Sequence, residues 1–72
     1  MAFKSPNFNE RCIELRCEDN EVAIYATPQG LKQIIAFCEK LLNDDKGTHI
    51  HMEDYEILTK ESLIGAIALF KQ

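Results

Sequence analysis

Hydrophobic and polar residues alternate along residues 11–17 and again along residues 22–26, which is the pattern of two β-strands. The stretch EDNE lies between them. A two-residue turn at Asp19 and Asn20 fits there because both residue types tolerate positive φ. The turn predicts four cross-strand pairs: Ile13 with Ala26, Leu15 with Ile24, Cys17 with Val22, and Glu18 with Glu21. Because the three apolar pairs then share one face, the register is self-consistent and a hairpin is predicted.

The next segment, TPQGLKQIIAFCEKLLNDDKG, has helix signals at both ends. Thr27 is a suitable N-cap, Pro28 suits the first turn, and Gly47 follows the last periodic residue. Six apolar residues fall on one stripe: Leu31, Ile34, Ile35, Cys38, Leu41 and Leu42. We expect this stripe to be core that covers the apolar face of the hairpin, rather than a groove for a partner. Cys38 is accordingly expected to be a core residue, not a nucleophile.

Alternation returns from Thr48 to Tyr55, with Ile50 and Met52 on the apolar side. The segment Leu58–Ser62 is polar and is interpreted as a connection. The continuous apolar run Leu63–Phe70 is interpreted as a buried strand rather than a short helix. Its inward face is left open: either Ile67 and Leu69, or Ala66, Ala68 and Phe70, would meet the helix.

The resulting order, β-β-α-β-β, predicts an α+β domain over residues 11–72, preceded by a flexible tail over residues 1–10. We expect one antiparallel-rich, four-stranded sheet with the helix packed on one face. The other face would remain in water and would be mixed in character, as protein-binding surfaces are. Its candidate partner-binding residues are Glu14, Arg16, Tyr25, His49, His51, Glu53 and Tyr55.

Composition narrows the range of functions. The chain has 72 residues and a net charge of −4, from 8 Lys+Arg and 12 Asp+Glu. An acidic chain of this kind argues against a nucleic-acid ligand and favours a basic protein partner. No segment approaches the ~20 apolar residues of a membrane span. The three cysteines include no CxxC pair, so free thiols in a reducing cytoplasm are expected, not a disulfide framework or a thiolate zinc site.

The histidine-rich stretch GTHIHMEDYEILT raises the question of a metal. Alternation places His49, His51 and Glu53 on one side of a strand, with neighbours about 6.5–7 Å apart, and such groups bind zinc or iron. The spacing is short and generic, however, so an ordinary polar face is the favoured interpretation and no cofactor is expected. The chain lacks a glycine-rich phosphate loop and a nucleophile elbow, so we do not expect an enzyme. The alternatives kept open are a small metal- or ligand-binding domain that uses the two histidines, and a structural homodimer formed through the same face.

The C-terminal third resembles a known family. The stretch GTHIHMEDYEILTKESLIGAIALF is similar to the C-terminal signature of the Immunity protein 32 family. In that signature, a His-x-His strand with an acidic or aromatic continuation precedes a Leu-Thr-x-x-Ser segment and a final apolar strand. The matching residues are His49, His51, Glu53, Tyr55, Leu58, Thr59 and Ser62.

The resemblance covers about Arg11 to Phe70, and the family's small α+β build agrees with the predicted elements. It implies a bacterial cytoplasmic protein that binds and neutralises the toxin domain encoded beside it.

Overall fold

A computed structural model of the chain describes residues 6–44 and 49–70. The elements are β1 (Ile13–Glu18), β2 (Glu21–Ala26), α1 (Pro28–Asn43), β3 (His49–His51), a 3₁₀ turn (Met52–Tyr55) and β4 (Ala66–Ala68). The α+β class is confirmed. The single four-stranded sheet is wrong, because β1 pairs only with β2 and β3 only with β4 as named strands, giving two antiparallel sheets.

Four parts of the sequence prediction lie outside the described residues. These are residues 1–5 of the proposed tail, Gly47 at the proposed helix end, Thr48 at the start of the third alternating segment, and residues 71–72 of the proposed domain. Of the rest of the tail, the carbonyl of Phe8 accepts a hydrogen bond from the Arg11 amide at 2.8 Å. Within the described residues, no helix combines the length and the apolar character needed to cross a membrane.

The hairpin forms in the predicted register. All four expected pairs occur, from Ile13 opposite Ala26 to Glu18 opposite Glu21. The turn residues Asp19 and Asn20 have φ of 51° and 64°. These values correspond to the primed turn whose twist matches that of paired strands, so the local sequence sets this part of the fold.

The segment 57–63 lies along the edge of β1 that faces away from β2. Ile13 forms a parallel bridge with Leu58, and its amide donates to the carbonyl of Ile57 at 3.1 Å. Further along, the amide of Leu15 donates to the hydroxyl of Ser62 at 2.8 Å. The stretch interpreted as a connection therefore pairs with the edge of β1 that β2 leaves free. With that edge occupied, the C-terminal strands form a separate sheet.

The helix begins as predicted, with the Thr27 hydroxyl accepting a hydrogen bond from the Gly30 amide at 3.1 Å. Its orientation differs from the prediction. The buried residues are Gly30, Phe37 and Leu41, whereas Ile35 is 57% exposed. Four of the six residues in the predicted stripe are in fact exposed: Leu31, Ile35, Cys38 and Leu42.

Gly30 explains part of this difference between the predicted and the observed helix orientation. A Cβ at position 30 would lie 2.1 Å from the carbonyl oxygen of Cys12, so the helix backbone rests directly on the start of β1. The same Cys12 carbonyl accepts a hydrogen bond from the Thr27 amide at 3.0 Å. This close approach turns the face containing Gly30 and Phe37 inward and leaves most of the predicted aliphatic stripe exposed.

The core joins the two sheets. Its buried apolar residues come from β1, α1, β3 and the 3₁₀ turn: Ile13, Leu15, Phe37, Leu41, Ile50 and Met52. Ile67 and Leu69 are partly buried against this cluster, while Ala66 and Ala68 are exposed, which resolves the open question about the last strand. Ile50 and Met52 are buried, as their alternation predicts.

Candidate functional site

The seven candidate residues fall into two groups that the two sheets present separately. We call Glu14, Arg16 and Tyr25 the hairpin cluster, and residues 49–55 the histidine turn. The hairpin cluster lies on paired residues of β1 and β2, where Glu14 stands opposite Tyr25. The prediction of one shared sheet face is wrong because β3 and β4 do not join the hairpin sheet.

Glu14 is buried, with 1% of its surface exposed, so the expectation that it lies on an open face is also wrong. Its carboxylate accepts a hydrogen bond from the Thr59 hydroxyl at 2.6 Å and an ion-paired hydrogen bond from Arg16. The bond from Thr59 lowers the pKa of Glu14 below its ordinary value, burial opposes this, and the contacts with Arg16 lower the pKa further. Glu14 thus acts as a buried anion that positions its neighbours.

Arg16 is mostly buried, with 13% of its side-chain surface exposed. Its guanidinium lies 4.8 Å from the centre of the Tyr25 ring, in a cation–π contact. It also lies 4.0 Å from the carboxylate of Glu18. The side chain of Arg16 is held from three sides, so it presents a fixed cation rather than a mobile one.

The histidine turn begins as a strand and changes direction at Met52. His49 and His51 are exposed on β3, with ring centroids 4.8 Å apart in an edge-on arrangement. The Nδ1 atom of His51 lies 3.4 Å from a carboxylate oxygen of Glu53. Because Met52 to Tyr55 form a 3₁₀ turn, the strand alternation that was expected to carry Glu53 and Tyr55 ends at His51.

This geometry bears on the metal question. Among residues 6–44 and 49–70, no group of three or more His, Cys, Asp or Glu side chains is arranged to hold a metal ion. The two histidine rings and the Glu53 carboxylate therefore do not form the metal-binding set that a continuous strand would suggest. The pairing of His51 with Glu53 instead gives the surface a polar edge.

Tyr55 fixes the far end of the histidine turn. Its ring packs edge-on against the buried Phe37, with centroids 4.9 Å apart, yet the residue remains partly exposed. Between this ring and the end of α1 lies a cleft of 340 Å³. Its charged and polar lining residues carry both signs of charge: Lys40, Asp44, His49, His51 and Asp54.

Sequence reasoning missed two residues that matter for these surfaces. Thr59 was placed in a connection, although its hydroxyl holds the Glu14 carboxylate. Phe37 was left out of the apolar stripe, although it is 2% exposed and supports Tyr55. The Leu-Thr-x-x-Ser spacing was the one available signal for Thr59, because Leu58 and Ser62 also contact β1.

The structure also leaves apolar surface uncovered by the described residues. On the hairpin, Val22 and Ile24 are exposed, and on α1 the exposed apolar residues include Leu31, Ile35 and Leu42. Near the C terminus, the exposed apolar residues are Leu63, Ile64 and Phe70.

Comparison with known proteins agrees with this picture. The sequence model of the family described as Immunity protein 32 matches residues 21–64, which is more than half of the chain. The matched region contains β2, α1, the histidine turn and the segment that lies along β1. Neither a curated protein nor a solved structure matches the sequence or the fold. Because the family model matches more than half of the chain, the chain belongs to the Immunity protein 32 family.

Proposed function

We propose that this protein is a bacterial immunity protein that binds a cognate toxin domain in the cytoplasm and neutralises it through a protein–protein interface. The observation that carries the proposal is membership of the Immunity protein 32 family. We propose a role as a binder, not as an enzyme. The charged side chains of Glu14 and Arg16 form an ion pair with each other, which is a structural use of these groups.

The surface chemistry supports a protein partner. The net charge of −4 suits a basic partner, since opposite charges speed encounter and disfavour wrong partners. The exposed apolar residues on the hairpin and on α1 supply the surface whose burial stabilises a complex. A small acidic domain with both features is well suited to cover a basic toxin.

We place the toxin contact at the histidine turn. Tyr55 is anchored on Phe37 and partly exposed, so it offers a rigid aromatic contact at a low entropic cost. Asp54 and Glu56 are exposed beside it, and His49 and His51 extend the polar surface along β3. Arg16 and Tyr25 of the hairpin cluster are further contacts, with Glu14 acting only indirectly through Arg16.

Co-expression tests the function directly. The protein would be used as bait against the products of the genes beside its own, and each captured product would be expressed alone and together with it. We expect a stable complex with one neighbouring product that arrests growth when expressed alone, and restored growth when both are present. A protein that captures none of these products and runs as a dimer by size-exclusion chromatography with light scattering would favour the structural homodimer instead.

A charge reversal tests the location of the interface. Asp54→Lys changes an exposed residue of the histidine turn, and Glu10→Lys makes the same change in charge at an exposed residue before β1. We expect the first variant to bind the toxin about tenfold more weakly, an effect typical of an interface residue, and the second to bind as wild type. Equal affinities, with both variants folded by circular dichroism, would exclude the histidine turn as the contact.

A further inference from the structure

The outer edge of β2 has backbone groups that no described strand satisfies. In an antiparallel pair, residues alternate between those that bond across the pair and those whose N–H and C=O groups point outward. On β1, Ile13 and Leu15 point outward, since both bond to the segment 57–63. Their partners in the register are Ala26 and Ile24, so on β2 the outward set is Val22, Ile24 and Ala26.

The side chains along this edge are also uncovered. Val22 is 73% exposed and Ile24 is 56% exposed, and both are β-branched residues that favour extended structure. Native proteins commonly block an exposed edge with lysine, proline or a bulge. Over Glu21–Ala26 the only charged residue is Glu21, and the strand contains neither proline nor lysine. As far as residues 6–44 and 49–70 are concerned, the edge is therefore open for pairing with another strand.

The hairpin tip indicates what kind of strand would fit. Glu18, Asp19 and Glu21 place three exposed carboxylates at one end of the open edge. A second copy of this chain brings the same negative net charge to the edge, so charge disfavours it. A basic segment gains from these carboxylates instead.

We infer that the toxin domain adds an extended strand to the outer edge of β2. This strand carries apolar side chains at alternate positions, facing Val22 and Ile24, and a lysine or arginine beside the carboxylates of the tip. Backbone pairing supplies affinity, while the alternating side chains and the basic residue supply specificity. The inference rests on the proposed function and adds a second contact to the one at the histidine turn.

Amide hydrogen exchange measured by NMR tests this inference residue by residue on the complex with the toxin domain recovered by co-expression. In the free protein, the amides of Ala23 and Tyr25 should be protected by β1, while those of Val22 and Ile24 should exchange rapidly. In the complex, the amides of Val22 and Ile24 should become protected as well. A complex that forms without this change would overturn the strand pairing and leave the immunity function intact.

A proline substitution provides the matched binding test. Val22→Pro removes an outward N–H without removing a bond of the hairpin, and edge strands tolerate proline at such positions. Val22→Thr keeps the N–H and the branched shape. We expect toxin affinity to fall about tenfold or more for the proline variant, since a buried carbonyl of the toxin strand loses its donor. The threonine variant should lose less than about fivefold.

Three results would contradict the inference. The first is an equal loss of affinity in the two variants. The second is protection of Val22 and Ile24 in a dimer of this protein alone, which would assign the edge to a second copy. The third is the absence of any toxin complex, which would overturn the proposed function together with the strand pairing.

Discussion

The buried contact between Thr59 and Glu14 predicts a large effect from a small substitution. Thr59→Val retains the shape of the side chain and the backbone bond from the Thr59 amide to the Ile13 carbonyl, and replaces the hydroxyl with a methyl group. Glu14 is 1% exposed, so water cannot replace the lost donor without opening the fold. Hydrogen bonds to charged groups contribute about 1.5–3 kcal/mol, so we expect a loss of about 2 kcal/mol in the free energy of unfolding.

Urea and thermal unfolding followed by circular dichroism measure this loss. For a domain of this size, about 2 kcal/mol lowers Tm by about 8–16 °C. Thr59→Ser is the control, because it keeps the hydroxyl and removes a methyl group. A stability for Thr59→Val within about 0.5 kcal/mol of wild type would refute the reasoning that this hydroxyl holds a buried anion.

The same variant has a characteristic pH dependence. Folding lowers the pKa of Glu14, with the Thr59 bond as the largest cause, so the unfolded chain holds that proton more tightly. In the wild type, Glu14 makes its full contribution to the free energy of unfolding above the ordinary glutamate pKa of about 4.3. This contribution falls as the pH drops through the lowered pKa. In Thr59→Val the pKa is lowered less, so the variant loses less stability over that range. The difference in the free energy of unfolding between wild type and Thr59→Val should therefore become smaller from pH 7 to pH 3. A constant difference would contradict the conclusion that the Thr59 hydroxyl lowers the pKa of Glu14.

Three further predictions follow from the packing of α1. In urea unfolding, Phe37→Ala should lower the free energy of unfolding by about 3–5 kcal/mol, while Ile35→Ala should lower it by less than about 1 kcal/mol. A larger loss for Ile35→Ala would support the helix orientation that the apolar stripe predicts. Gly30→Ala should destabilise the fold despite the higher helix propensity of alanine, because the added methyl group meets the Cys12 carbonyl, and a rise in Tm would exclude that close approach. Cys38 is exposed while burial raises the pKa of Cys12, so iodoacetamide should label Cys38 before Cys12 at pH 8, as peptide mass spectrometry would show.

Some features of the candidate surfaces follow from the local sequence, and others depend on contacts between distant parts of the chain. The exposure of His49 and His51, and the burial of Ile50 between them, follow from the alternation of one short strand. The burial of Glu14 does not, because it depends on Thr59, which is distant along the chain. No periodicity in either segment indicates that they meet.

By itself, the sequence determined the structural features that depend on residues close together in the chain. The Asp19–Asn20 turn sets the hairpin register, Thr27 and Pro28 start the helix, and alternation buries Ile50. These features follow from backbone conformation and side-chain period, which act over a few residues.

Tertiary structure decided which helix face is buried and which strands share a sheet. The contact of Gly30 with the Cys12 carbonyl rotates α1, so that Phe37 becomes core and Ile35 remains outside. Pairing of the segment 57–63 with β1 occupies the edge that a four-stranded sheet would need. Both outcomes depend on backbone groups meeting across long stretches of chain, and a hydrophobic pattern carries no information about where a carbonyl finds its partner.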